Sequence, residues 1–186
     1  TGIPPYRILA VTFTNKAARE MRERVEEMVG ASDARSLWMG TFHSICARML
    51  RIDGQAIGLD PNYTDYDDSD QLSVIKDILR NMSVSETIQP RAFLNEISRA
   101  KEKLIAPDRY SREAASFFEE QVSRVYPAYQ ARLTKASALD FDDILGYAVR
   151  LLESSEATRE KYQERFLSVL VDEVQDVNFT QYRFAQ

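Results

Sequence analysis

Leu167-Ser168-Val169-Leu170-Val171-Asp172-Glu173 is the stretch that decides the fold. A short apolar run rich in Val and Leu reads as a strand. Such a strand delivers Asp172 to its C-terminal edge, where open α/β sheets bind ligands. Carboxylate oxygens suit a hard, hydrated Mg²⁺ ion. A second acid beside it, Glu173, can orient or deprotonate a water for in-line attack on a γ-phosphate. The bland alternative makes Asp172 a helix N-cap and Glu173 a first-turn acid ahead of a helix at Asn178. Gln175 and Asp176, which follow at once, weigh against it.

Working back from that strand, residues 63–166 read as almost entirely helical. Asp68 and Gln71 resemble a capping box for a helix bearing Leu72, Ile75, Leu79 and Met82. Pro90 fits the first turn of a helix reaching Leu104, and a long helix is expected over 111–136 with a kink at Pro127. Asp140 is placed to cap a helix with Phe141, Ile144, Leu145, Ala148 and Leu152 on one face. Nearer the start, Ile8-Leu9-Ala10-Val11-Thr12-Phe13 reads as a strand. A helix follows over 16–29 with an apolar stripe of Ala17, Ala18, Met21, Val25, Met28 and Val29, Glu20–Arg24 and Arg22–Glu26 as surface pairs, and Gly30 as a left-handed C-cap. Leu37-Trp38-Met39 is a second strand, ending at Gly40-Thr41 ahead of a helix through Ile45, Met49 and Leu50.

Strand, helix, strand, many helices, strand describes an α/β parallel layer interrupted by an all-helical insertion. The expected organisation is 1–41 in the layer, 42–166 in the insertion and 167–186 back in the layer. Three strands leave raw edges, so segments outside these 186 residues are expected to complete the sheet.

Composition narrows the class. Apolar residues at 44% and charged residues at 28% are those of a globular protein, and no apolar run approaches membrane-spanning length. The start, Thr1-Gly2-Ile3-Pro4-Pro5, has no signal-peptide character, and the lone Cys46 excludes an intrachain disulfide. A cytoplasmic setting without membrane contact is the expectation. The net charge of −5 argues against indiscriminate coating of nucleic acid, yet residues 1–51 carry 8 Lys/Arg against 5 Asp/Glu. A mildly basic front on an acidic body is compatible with a local groove tracking a phosphate backbone.

Val-Asp-Glu-Val-Gln-Asp at 171–176 resembles the DExQD form of the Walker B motif in superfamily 1 helicases of the UvrD, PcrA and Rep kind. Ala10-Val11-Thr12-Phe13-Thr14-Asn15-Lys16-Ala17-Ala18-Arg19-Glu20-Met21 is similar to that family's motif Ia. Gly40-Thr41-Phe42-His43-Ser44 looks like motif Ib, and Leu139-Asp140-Phe141-Asp142-Asp143 like the family's LDF-type segment. The four stand in family order across essentially the whole chain, with the PcrA branch nearest in flavour. The departure is Val174, where the family usually carries a bulky aromatic.

The resemblance implies a partial RecA-like sheet of the P-loop NTPase type, with the helical insertion as subdomain 1B, in an ATP-dependent helicase moving 3′ to 5′ on single-stranded DNA and at single-strand/duplex junctions. Pathway (repair, recombination or replication restart) and protein partners stay open. The cofactors implied are Mg²⁺ and ATP in the full-length protein, neither tightly bound by this piece. Asp172 would hold the metal and Glu173 would activate water, while Gln175 and Asp176 would couple nucleotide state to DNA movement. Thr12, Phe13, Thr14, Asn15, Thr41, Phe42 and His43 would line the single strand. An aromatic such as Phe13 could stack on a base, worth roughly 1–3 kcal/mol, with hydroxyl and amide groups on phosphate.

No G-x-x-x-x-G-K-[ST] stands anywhere in the 186 residues, so ATP phosphates have no cradle here and the piece alone is expected to be inactive. The alternatives are a non-catalytic module binding DNA or protein, and the helicase arm of a helicase–nuclease. Other features read plainly. Asp65, Asp67, Asp68 and Asp70 lack the Gly and final Glu of a calcium loop and mark a solvated helix start. Trp38 and Cys46 read as core. Lys101, Lys103, Arg109 and Arg112 are either a solvated face or a contact to duplex DNA.

Overall fold

The computed structural model describes residues 2–82, 88–172, 175 and 177–186. The chain packs as two units, residues 1–61 with 147–186 and residues 62–146. Helices dominate, and the α/β character rests on a small parallel sheet.

In the first unit, strand β1 (Ile8–Thr12) is central and strands β2 (Trp38–Thr41) and β5 (Ser168–Val171) flank it, both parallel to it. Leu9, Ala10, Val11 and Thr12 are all buried, which explains the unbroken apolar run of β1. Phe13 does not extend the strand. Thr14 turns the chain and accepts a 3.1 Å bond from the Ala17 N–H, opening helix α1 (Asn15–Val29).

The stripe expected on α1 is only partly covered: no residue of the helix is fully buried, and Met28 stands 81% exposed. Arg22 leaves its expected surface pair and donates to the Met39 carbonyl at 2.8 Å, tying α1 to β2. Gly30 adopts a positive φ of 87° as expected, but its ψ of 156° is not left-handed helical. Its carbonyl instead starts a further short helix, α2 (Ala31–Ser36), absent from the sequence reading. Helix α3 (Phe42–Asp53) follows β2 and buries Phe42, Ile45, Cys46, Met49 and Leu50, a complete i, i+3, i+4, i+7, i+8 face. Burial pushes the Cys46 thiol far above its ordinary range, leaving it inert. Helix α9 (Glu156–Arg165) leads into β5, whose Leu170 is 56% exposed.

The second unit holds helices α4 (Asp68–Met82), α5 (Pro90–Glu102), α6 (Pro107–Glu113) and α7 (Phe117–Lys135), and the start of α8 (Phe141–Ser154), which runs on into the first unit. A two-residue parallel pair, β3 (Thr64–Asp65) with β4 (Ala138–Leu139), joins them. Ile75, Phe93, Ile97, Val122, Val125, Tyr129 and Leu133 form the centre of its core.

Four expectations are corrected in this unit. The capping box of α4 is Asp67 with Asp70, one residue earlier than expected: the Ser69 and Asp70 N–H groups donate to Asp67, and the Asp67 N–H to Asp70. Helix α5 stops at Glu102 because Leu104 takes φ 55° and the Ile105 N–H closes back on the Ala100 carbonyl at 2.9 Å, a Schellman-type end. The long helix expected over 111–136 is two helices, split where Ser116 and Glu119 form a capping box.

The fourth correction concerns Lys101, expected in a surface cluster. It is 7% exposed, and its Nζ donates to Asp140 at 2.6 Å and Asp143 at 2.8 Å. The Tyr129 hydroxyl and Gln130 amide complete the network on the same two carboxylates. Burial alone would lower the Lys101 pKa, but Asp143 and Asp140 more than offset it and hold the ammonium charged. Asp140 also caps α8, accepting from the Asp143 N–H at 2.8 Å, so the ion cluster and the helix start are one structure.

Replacing Lys101 by Met should therefore destabilise the chain by about 3–5 kcal/mol in urea unfolding, because two buried carboxylates lose their cation. A loss under about 1 kcal/mol would mean that the cluster is not buried as described. Asp142 offers a pH test. Burial lifts its carboxyl from an ordinary 3.8 to about 6, against the opposing bond from the Ser98 hydroxyl. The folded state thus holds this proton more tightly than the unfolded state, a contribution complete below 3.8 and lost as pH rises through about 6. As pH rises from about 4 to about 7 the parent should lose stability relative to Asp142→Asn. A gap that stays constant with pH excludes this assignment.

Candidate functional site

The parallel register brings the sheet's C-terminal ends to one rim. Thr12 lies beside Thr41, and Val11 beside Val171. The Asp172 N–H donates to the Val11 carbonyl at 3.0 Å, extending the β1–β5 ladder by one residue. Asp172 therefore stands next to the turn at Thr12–Phe13 with its side chain exposed. It does not cap the following helix. Helix α10 (Phe179–Ala185) is capped by Asn178, which accepts from the Gln181 N–H at 2.9 Å in a box closed by Gln181. Glu173 and Asp176 lie outside the described residues. Gln175 is exposed.

The predicted strand-lining residues divide by exposure. Thr12 is fully buried, its hydroxyl turned to the Thr14 carbonyl at 3.2 Å. Thr41 is nearly buried and caps α3 by accepting from the Ser44 N–H at 3.2 Å. Phe42 is 2% exposed, wedged between Phe13 at 5.5 Å and Phe184 at 6.3 Å between ring centroids. Phe13 and His43 are half-buried, and Thr14 and Asn15 are exposed. The rim thus leaves Thr14, Asn15 and Asp172 exposed and Phe13 and His43 half-buried, with Thr12, Thr41 and Phe42 buried beneath.

The electrostatics of the rim follow from chain direction. Helices α1 and α3 both start there, so both direct their free N–H groups and positive dipole ends to that side. That setting favours a phosphate, while Asp172 supplies hard oxygen for a divalent cation. Among the described residues no group of three or more metal-ligating side chains occurs. Mg²⁺ commonly takes only one or two protein carboxylates and keeps waters and phosphate oxygens, so a single exposed Asp at a strand end fits it. A cavity of about 450 Å³ lies on the sheet face rather than the rim, lined by Leu9, Val11, Phe166, Val169 and Phe184. Of the predicted site residues only Phe42 reaches it, and the charged side chains of Glu153, Arg159 and Arg183 share its open wall with the apolar ones.

Sequence reasoning missed the distinction between support and surface. Phe13 and Phe42 are the same residue type in equivalent strand-to-helix turns, and only packing tells them apart.

Comparison with known proteins gives the same family. The family described as UvrD/REP helicase N-terminal domain matches residues 1–186. Among curated proteins, the ATP-dependent DNA helicase PcrA of Staphylococcus epidermidis (strain RP62A) is 46% identical over 181 residues, covering 97% of this chain and 25% of that protein. PcrA of Staphylococcus aureus (strain Mu50) is 45% identical with the same coverage. The chain spans about a quarter of the length of these relatives. Among the described residues no helix is long and apolar enough to cross a membrane.

The division between support and surface is testable by stability alone. Phe42→Ala should cost about 3–5 kcal/mol in denaturant unfolding, as for a buried aromatic. Phe13→Ala should cost clearly less. Equal losses would put Phe13 in the core and remove it from the rim surface.

Proposed function

Because the chain belongs to the UvrD/REP helicase N-terminal domain family, we propose that it forms part of an ATP-driven motor that moves 3′ to 5′ on single-stranded DNA, with the C-terminal rim of the β2-β1-β5 sheet as the face that joins nucleotide to DNA. On this reading the three strands belong to a RecA-like sheet, and residues 62–146 are its helical insertion, narrower than 42–166 because α3 and α9 pack with the sheet unit. The observation that supports it is the placing of Asp172 beside the Thr12–Phe13 turn through its bond to Val11.

Each residue then has a task. Phe13, half-buried and backed by Phe42, stacks its ring on a base. Thr14 and Asn15, at the start of α1, and His43, at the start of α3, meet the phosphate backbone beside free helix N–H groups. Asp172 holds the metal, and the Glu173 carboxylate takes the proton of the attacking water. Gln175 and Asp176 couple that chemistry to movement of the DNA. Mg²⁺ and ATP, when bound, supply in-line phosphoryl transfer to water. Because the 186 residues contain no phosphate-cradling loop, the chain alone contributes the rim but not the whole nucleotide site.

Fluorescence anisotropy with a labelled single-stranded oligonucleotide tests the proposal. Phe13→Ala should weaken binding by roughly 5- to 150-fold, the loss of one stacked base. Unchanged affinity sinks the stacking role. In parallel, the purified chain should hydrolyse little or no ATP. A measurable rate that disappears in Glu173→Gln would overturn the dependence on a phosphate loop.

A further inference from the structure

The opposite rim of the same sheet carries a second cluster that the motor reading does not use. Helix α3 leaves β2 at the C-terminal rim and runs back, so Arg48 and Asp53 arrive beside Trp38, where β2 begins. Helix α9 ends at Arg165 close to the same place, because the Leu167 N–H donates to the Arg7 carbonyl at 3.0 Å, just ahead of β1.

Trp38 is 2% exposed and is the platform of the cluster. The guanidinium carbons of Arg48 and Arg165 lie 3.9 Å and 4.7 Å from its ring centroid. Phe166 and Tyr162 pack edge-on against the same ring at 5.2 Å and 6.0 Å. The nearby carboxylate of Asp53 is already engaged, by Lys161 at 2.8 Å and by the Tyr162 hydroxyl at 2.7 Å. Neither arginine has an ion-pair partner among the described residues, although Arg48 is exposed and Arg165 partly so. The Trp38 Nε1–H and the Arg165 Nε–H are both buried donors without an acceptor.

Two cations on one ring repel each other, and two unpaired buried donors carry a desolvation cost. An oxyanion paired with the guanidiniums relieves the repulsion. Guanidinium forks match phosphate oxygens in pairs, and stacking on an indole holds the forks in place before the ligand arrives. We propose that Arg48 and Arg165, organised on Trp38, bind a phosphate group at the N-terminal rim of the sheet, remote from the proposed single-strand path. Its source is either a nucleic-acid backbone or free inorganic phosphate. In a family of DNA helicases a backbone phosphodiester is the anion at hand.

Trp38 is the single tryptophan of the sequence, so its emission reads this site alone. Titration of the chain with inorganic phosphate should produce a saturable change in Trp38 fluorescence that chloride at equal ionic strength does not. Arg48→Gln should weaken that titration by roughly tenfold or more, and Arg48→Lys should restore only part of it, since charge returns without the fork. Because a variant can fail to fold, the Trp38 indole N–H resonance of the parent serves as a second reading and should shift with phosphate and not with chloride. Displacement of phosphate by a short duplex or single-stranded oligonucleotide identifies the backbone as the source, and failure to displace identifies the free anion. If phosphate acts no differently from chloride on both readouts, or Arg48→Gln folds and titrates like the parent, the stack is structural only and the proposal is wrong.

Discussion

The position of β1 between two parallel partners is the constraint on which the first unit depends. Its backbone pairs on both sides, and the pairing continues through the Asp172 N–H to the Val11 carbonyl. Burial of Leu9, Ala10 and Val11 shows that both faces of β1 are covered, and the observed register aligns Thr12 with Thr41 and Val11 with Val171. Once register is set, three strand ends fall at one rim with no further instruction. The acid after β5, the turn after β1 and the helix start after β2 become neighbours although 160 residues separate Thr12 from Asp172.

The second unit is held differently. Its core is aliphatic and aromatic, but α5, α7 and α8 also meet at a charge cluster, where Lys101, Tyr129 and Gln130 converge on Asp140 and Asp143. Such a cluster adds little net stability over a well-packed apolar core, but breaking one member is costly. Its value is geometric. Asp140 must satisfy Lys101, Tyr129 and the Asp143 N–H at once, so the start of α8 has one position relative to α5 and α7.

What could be read from the sequence was whatever depends on near neighbours. The strand at β5, Asp172 at its end and the helix that follows the Phe13 turn are local patterns, and the structure shows them close to where the residues predict. The break between α6 and α7 was hidden because Ser116 and Glu119 sit inside an otherwise uniform helix-forming stretch, where a capping box looks like surface polarity. Lys101 was illegible for a different reason: its partners lie 39 and 42 residues along the chain, and nothing adjacent distinguishes it from Lys103. At the rim, residue type named the right turns but not the exposure of each side chain, since Phe42 is covered by Phe184 from α10.

Helix α3 links the two ends of the sheet unit. Its first residue, Phe42, packs under Phe13 at one rim, and Arg48 stacks on Trp38 toward the other. A helix of twelve residues spans about 18 Å. Between those ends Ile45, Cys46, Met49 and Leu50 are each at most 3% exposed, so the helix cannot bend or slide without opening cavities.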